Sequence, residues 1–81
     1  MITVQHPDGQ TLTFSIDGDI LSIKRGVEKT TRVPLRVFTG LRAATDAELA
    51  QFEVIDGGDG LHWPSLDAHL HVPSLLEEFG R

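Results

Sequence analysis

The 81 residues are enough for one domain and too few for a second hydrophobic core. Forty per cent hydrophobic and 23% charged residues describe an ordinary globular chain rather than a disordered one. The formal charge of −5 disfavours general binding to a phosphate backbone, and the absence of cysteine rules out thiolate chemistry and disulfide staples, pointing to the cytoplasm. No apolar run reaches the roughly 20 residues that span a bilayer, and the amino terminus lacks the basic start and apolar stretch of a signal peptide.

Ile2-Thr3-Val4-Gln5 alternates as a half-buried strand does, and Pro7-Asp8-Gly9 supplies turn chemistry. Leu12 and Phe14 alternate with Thr11, Thr13 and Ser15 in a second strand. Asp17-Gly18-Asp19 forms a hairpin turn into a third strand with Ile20, Leu21 and Ile23. After Gly26, Thr30-Thr31-Arg32-Val33 reads as a fourth strand, closed by Pro34. Leu35, Phe38 and Leu41 recur at helical spacing, predicting a short helix interrupted near Gly40.

Thr45-Asp46-Ala47-Glu48 is a capping box, which predicts one or two helical turns through Leu49 and Gln51. Phe52, Val54 and Ile55 return to strand character, answered across Asp56-Gly57-Gly58-Asp59-Gly60 by Leu61-His62-Trp63. Pro73 and Gly80 bracket a last helix whose apolar face is Leu75, Leu76 and Phe79. The expected class is α+β: a small antiparallel sheet of five or six short strands, an N-terminal meander plus a later hairpin, with two or three short helices on one face. Phe14, Phe38, Phe52, Trp63 and Phe79 are the large core candidates.

The second half resembles a family of small bacterial proteins, domain of unknown function 2442. The resemblance rests on Val33-Pro34-Leu35, Phe38, Leu41, Ala44-Thr45, Gly58-Asp59-Gly60, Leu61-His62-Trp63-Pro64, Leu66-Asp67, Val72 and Leu75-Leu76. It implies a sheet-and-helix fold with no established catalytic activity and no cofactor. It also implies a partner, because the family's genes often lie beside those of domain of unknown function 4160 (DUF4160), arranged as toxin–antitoxin pairs are. Some longer relatives append a helix-turn-helix domain, which residues 1–81 do not contain, so operator binding is not carried over. After Leu66-Asp67 the family continues with acidic residues and Ser, whereas this chain has Ala68, His69 and His71. The recurring residues themselves have folding roles: Trp63 should be buried with an acceptor for its indole N–H, and Leu75, Leu76 and Phe79 should pack near it.

Several constellations could carry chemistry. His69 and His71 read as exposed loop histidines; they share one face of an extended segment and are the candidate metal ligands, but an H-x-H pair on a loop supplies only part of a zinc site. Ser65, His62 and Asp67 name the members of a hydrolase triad without a predictable oxyanion hole. The Gly57–Gly60 run joins two strands, which makes it a hairpin turn rather than a phosphate loop. Asp17 and Asp19 lack the spacing of a calcium loop. No catalytic residue and no cofactor is therefore assigned.

The reading is a non-enzymatic interaction or antitoxin-like regulatory module that binds a neighbouring gene's product, a small protein of the DUF4160 kind. A homodimer is also compatible with short edge strands. Trp63, Asp67, His69, His71, Arg36 and Arg42 are the residues expected to meet a partner. The alternative is a nucleic-acid-associated regulator, because Lys24, Arg25, Lys29, Arg32, Arg36 and Arg42 concentrate six of the seven bases in one segment.

Overall fold

A computed structural model describes residues 1–26 and 29–80. The first sheet contains β1 (Ile2–Gln5), β2 (Thr11–Asp17), β3 (Ile20–Arg25) and β4 (Lys29–Pro34), antiparallel and in sequence order. Register puts Ile2, Phe14, Ile23 and Thr31 in one cross-strand row and Ile16, Leu21 and Val33 in the next. Phe14, Leu21, Ile23 and Val33 have no exposed surface. The opposite face carries Thr3, Thr13, Lys24 and Thr30 in one row and Ser15, Ser22 and Arg32 in another. The period-two pattern thus settles which side is core.

Two short 3-10 turns, Leu35–Val37 and Thr39–Leu41, occupy the segment expected to be a helix broken near Gly40. The break falls at Phe38, whose backbone is extended (φ −91°, ψ 129°). There its ring meets that of Phe79 edge-on, with centroids 6.2 Å apart. The capping box forms as expected and opens α1 (Asp46–Leu49): the Glu48 N–H donates to Thr45 Oγ1 and the Thr45 N–H to Glu48 Oε1. So short a helix leaves its last carbonyls without intrahelical donors. The indole N–H of Trp63 takes one of them, donating to the Leu49 carbonyl at 2.8 Å inside the core.

The remaining strands form a second sheet of their own: β5 (Glu53–Ile55), β6 (Gly60–Trp63) and β7 (Ala68–His71). The described residues form two antiparallel sheets, of four and three strands, within the α+β class. The extended segment bearing His69 and His71 pairs fully with β6, as a seventh strand rather than a loop. Asp67 turns the chain between β6 and β7 in a left-handed conformation (φ 50°). The chain then enters α2 (Val72–Phe79), which buries Val72 and Leu75. Phe14 and Trp63 are wholly buried, while Phe38, Phe52 and Phe79 pack half-buried around the core; the ring beside Trp63 is Phe52 and not Phe79. Among the described residues no helix is long and apolar enough to cross a membrane.

The sheets meet where the turn at Asp56–Gly58 lies against the β1–β2 hairpin. Gly58 is buried with φ 106°, and a Cβ there would come within 3.2 Å of both Leu12 and Val4. Gly9 has a similar φ of 93° but nothing around it. Gly58→Ala should therefore cost more than Gly9→Ala, which carries backbone strain alone. We expect about 1–3 kcal/mol from strain at either position, with an added steric loss at Gly58 that urea denaturation of the two variants will reveal.

Candidate functional site

A cleft of about 410 Å³ opens beside that junction, lined by His6, Asp8, Gln10, Leu12, Arg25, Asp59, Val72, Pro73, Leu76 and Glu77. The turn after β1 builds one wall. The His6 N–H donates to the Gln10 carbonyl, the Gly9 N–H to the His6 carbonyl, and the Gln10 N–H to the Asp8 carboxylate. Asp59, at the head of β6, forms the opposite wall, and its carbonyl accepts the N–H of Val72 at the start of α2.

His6 bridges the walls. Its Nδ1 accepts the Asp8 N–H at 3.1 Å, so the neutral ring carries its proton on Nε2 and donates it to Asp59 Oδ1 at 2.6 Å. Asp8 Oδ1 lies 3.0 Å from Nδ1, ready to accept when that nitrogen is protonated. The Asp59 hydrogen bond, helped by Asp8, raises the His6 pKa above its ordinary value against the opposing effect of partial burial. The hydrogen bond from the Gln10 backbone, with smaller help from His6 and Arg25, lowers that of Asp8.

The residues singled out from sequence are dispersed. Trp63 has no exposed surface, so it serves the core and offers nothing to a partner in this fold. Arg36 is a tie between segments: its guanidinium donates to Asp19, Asp46 and the carbonyls of Arg42 and Ala44. Arg42 in turn donates to the Arg36 carbonyl. Those two bases therefore fold the 35–46 segment, and the basic run divides between this tie and the exposed Lys24, Arg25, Lys29 and Arg32. Asp67 is exposed at its turn.

His69 stacks on His62 across β6 and β7, with centroids 4.4 Å apart and planes 18° from parallel, and His62 approaches Glu53 at 3.5 Å. Stacked rings point their in-plane lone pairs side by side, not toward a shared ion. His71 hydrogen-bonds Ser74 at 2.8 Å. Among the described residues no three His, Asp or Glu side chains are placed to hold a metal. Ser65, His62 and Asp67 are joined by no hydrogen bond among those described, and Ser65 lines a shallow depression with Gln51, Phe52, Glu53 and Pro64. Sequence reasoning missed His6, whose only local signal is its position before Pro7-Asp8-Gly9.

Such a molecule is a small two-sheet α+β domain whose cleft is bridged by a histidine held between two aspartates. The family model for proteins of unknown function DUF2442 matches residues 28–81, more than half of the chain, and the chain belongs to that family. It is also similar to a protein of unknown function from Rhodospirillum rubrum ATCC 11170, known from a crystal structure. The two are 26% identical with a TM-score of 0.66, over 99% of this chain and 87% of the other. That likeness extends through the N-terminal hairpin carrying His6 and Asp8, which the family match leaves out. Comparison with curated proteins finds no match.

The His6 bridge has a pH signature. Because the folded pKa is raised, its stabilisation is complete below the ordinary value of 6.5 and is lost as pH climbs through the folded value. Asp8 behaves oppositely: its contribution is present above 3.8 and is lost as pH falls through its lowered value. Thermal unfolding should show Tm falling from about pH 5.5 to about pH 8.5, with a shallower fall in His6→Gln, which keeps an N–H donor but cannot titrate.

Proposed function

We propose that this chain is a binding module, and not a catalyst, that captures and restrains a small basic protein encoded beside it, in the manner of an antitoxin. The observation carrying this reading is the set of strand edges. Among the described strands β1 and β4 bound one sheet, β5 and β7 bound the other, and each pairs on one side only. Unpaired backbone N–H and C=O groups accept an extended segment of another chain. A net charge of −5 favours a basic partner and steers its approach. Both ring nitrogens of His6 are engaged in holding the fold, which argues against its use as a general base.

Nucleic acid is the weaker partner. Arg36 and Arg42 are committed within the chain, leaving Lys24, Arg25, Lys29 and Arg32 as exposed bases on the first sheet. Co-expression with the adjacent gene product, followed by size exclusion with light scattering, should give a stable heteromeric complex. Separate elution at micromolar concentration, or a homodimer that excludes the neighbour, would overturn the reading. So would retention of nucleic acid in its place.

A further inference from the structure

We propose that the chain forms a two-fold homodimer through the outer edge of β1, with residues 1–5 of one copy pairing antiparallel to residues 1–5 of a second. Such a dimer stands apart from the capture of a neighbour, because it leaves the second sheet free.

The ladder decides which backbone groups face outward. The His6 N–H donates to the Gln10 carbonyl at 2.8 Å, in register with Val4 opposite Leu12 and Ile2 opposite Phe14. Bonded and non-bonded positions alternate in an antiparallel pair, so Ile2, Val4 and His6 turn their N–H and C=O toward β2. Thr3 and Gln5 turn theirs away, where no described strand meets them.

The other edges are blunted. On β4 the bond from the Leu35 N–H to the Asp19 carbonyl leaves Thr30, Arg32 and Pro34 facing outward. Pro34 has no N–H, Arg32 is charged, and α2 packs against the strand. On β7 the bond from the Val72 N–H to the Asp59 carbonyl leaves His69 and His71 outward, and α2 packs there as well. β5 has three residues and offers Val54 alone. β1 carries neither charge nor proline, and the Asp56–Gly58 turn lies across Val4 and Leu12 on its inward face.

Centred on Thr3, the segment is its own complement. A two-fold axis there sets Thr3 against Thr3, Ile2 against Val4 and Met1 against Gln5 of the second copy. Faces are preserved, since Ile2 and Val4 are half-buried on the inward side while Thr3 and Gln5 are exposed on the outer side. Each Thr3 N–H then donates to the other Thr3 carbonyl, and each Gln5 N–H to the Met1 carbonyl across the axis. Met1, 93% exposed in one copy, gains cover from Gln5 of the other. The interface is small, well short of roughly 1,200 Å², and the charge of −5 on each copy opposes it. The dimer is therefore weak and reversible, and salt strengthens it by screening the repulsion. Capture of a basic protein has the opposite salt dependence.

The test is sedimentation velocity of the intact protein over a concentration series, at low and high salt. Monomer at low micromolar concentration should give way to dimer at millimolar concentration, with more dimer in high salt. Isotope-filtered NMR of mixed labelled and unlabelled protein should place Ile2 Hα of one copy beside Val4 Hα of the other, the close contact of a non-bonded antiparallel pair. Thr3→Pro removes the outward N–H at the axis but no β1–β2 bond, and should weaken the dimer about tenfold or more. Thr3→Lys should weaken it about threefold at low salt, and decides the matter if the proline variant does not fold. Arg32→Pro, an outward position of β4, should leave the dimer unchanged. A protein monomeric at millimolar concentration, a dimer indifferent to Thr3→Lys, a dimer lost in folded Arg32→Pro, or a missing Ile2–Val4 contact would overturn the assignment. A monomer that co-purifies with the adjacent gene product rejects the dimer alone. A β1-paired dimer with no co-purifying partner supports the dimer and rejects the neighbour.

Discussion

The seating of the Asp56–Gly58 turn on the N-terminal hairpin is the contact on which the rest of the molecule depends. Neither sheet has enough width to bury its apolar face alone, and together they enclose one core running from Phe14 to Trp63. Gly57 and Gly58 let the backbone approach where a Cβ would press on Pro7, Val4 and Leu12. Asp59 follows immediately and joins three elements: its carboxylate holds His6 after β1, its carbonyl holds Val72 at the start of α2, and its own chain leads into β6.

Polar groups elsewhere serve the same purpose of tying short elements together. Arg36 links the β2–β3 turn to α1 through Asp19 and Asp46, and Trp63 ties the second sheet to the end of α1 through Leu49. Among the described residues no buried side-chain nitrogen or oxygen lacks a partner. In a chain of 81 residues with no disulfide, such ties supplement a core too small to hold the loops by packing alone. The surfaces left to meet other molecules are the strand edges, the hydroxyl-rich outer face of the first sheet, and the cleft at the junction.

Local chemistry was readable where neighbours in sequence are neighbours in space. The alternation of Leu12 and Phe14 with threonines identified a strand and its buried side, and Thr45 with Glu48 identified the start of α1. The need of Trp63 for an acceptor was also legible, though not that Leu49 would supply it. Long-range chemistry was hidden. His6 and Asp59 are 53 residues apart, and no periodicity relates them. The helical spacing of Leu35, Phe38 and Leu41 misled because Arg36 draws the carbonyls of Arg42 and Ala44 to itself while Phe38 turns toward Phe79. Ala68–His71 concealed a strand because short polar and apolar alternation beside a proline turn reads equally well as loop.

The central claim is that the two sheets form one cooperative unit. Trp63 reports on the second sheet by fluorescence, whereas the amides of Ile23 and Val33 report on the first by NMR. Urea unfolding followed by both probes on the same sample is predicted to give one coincident transition. Two separated midpoints, with one sheet surviving the loss of the other, would contradict the account.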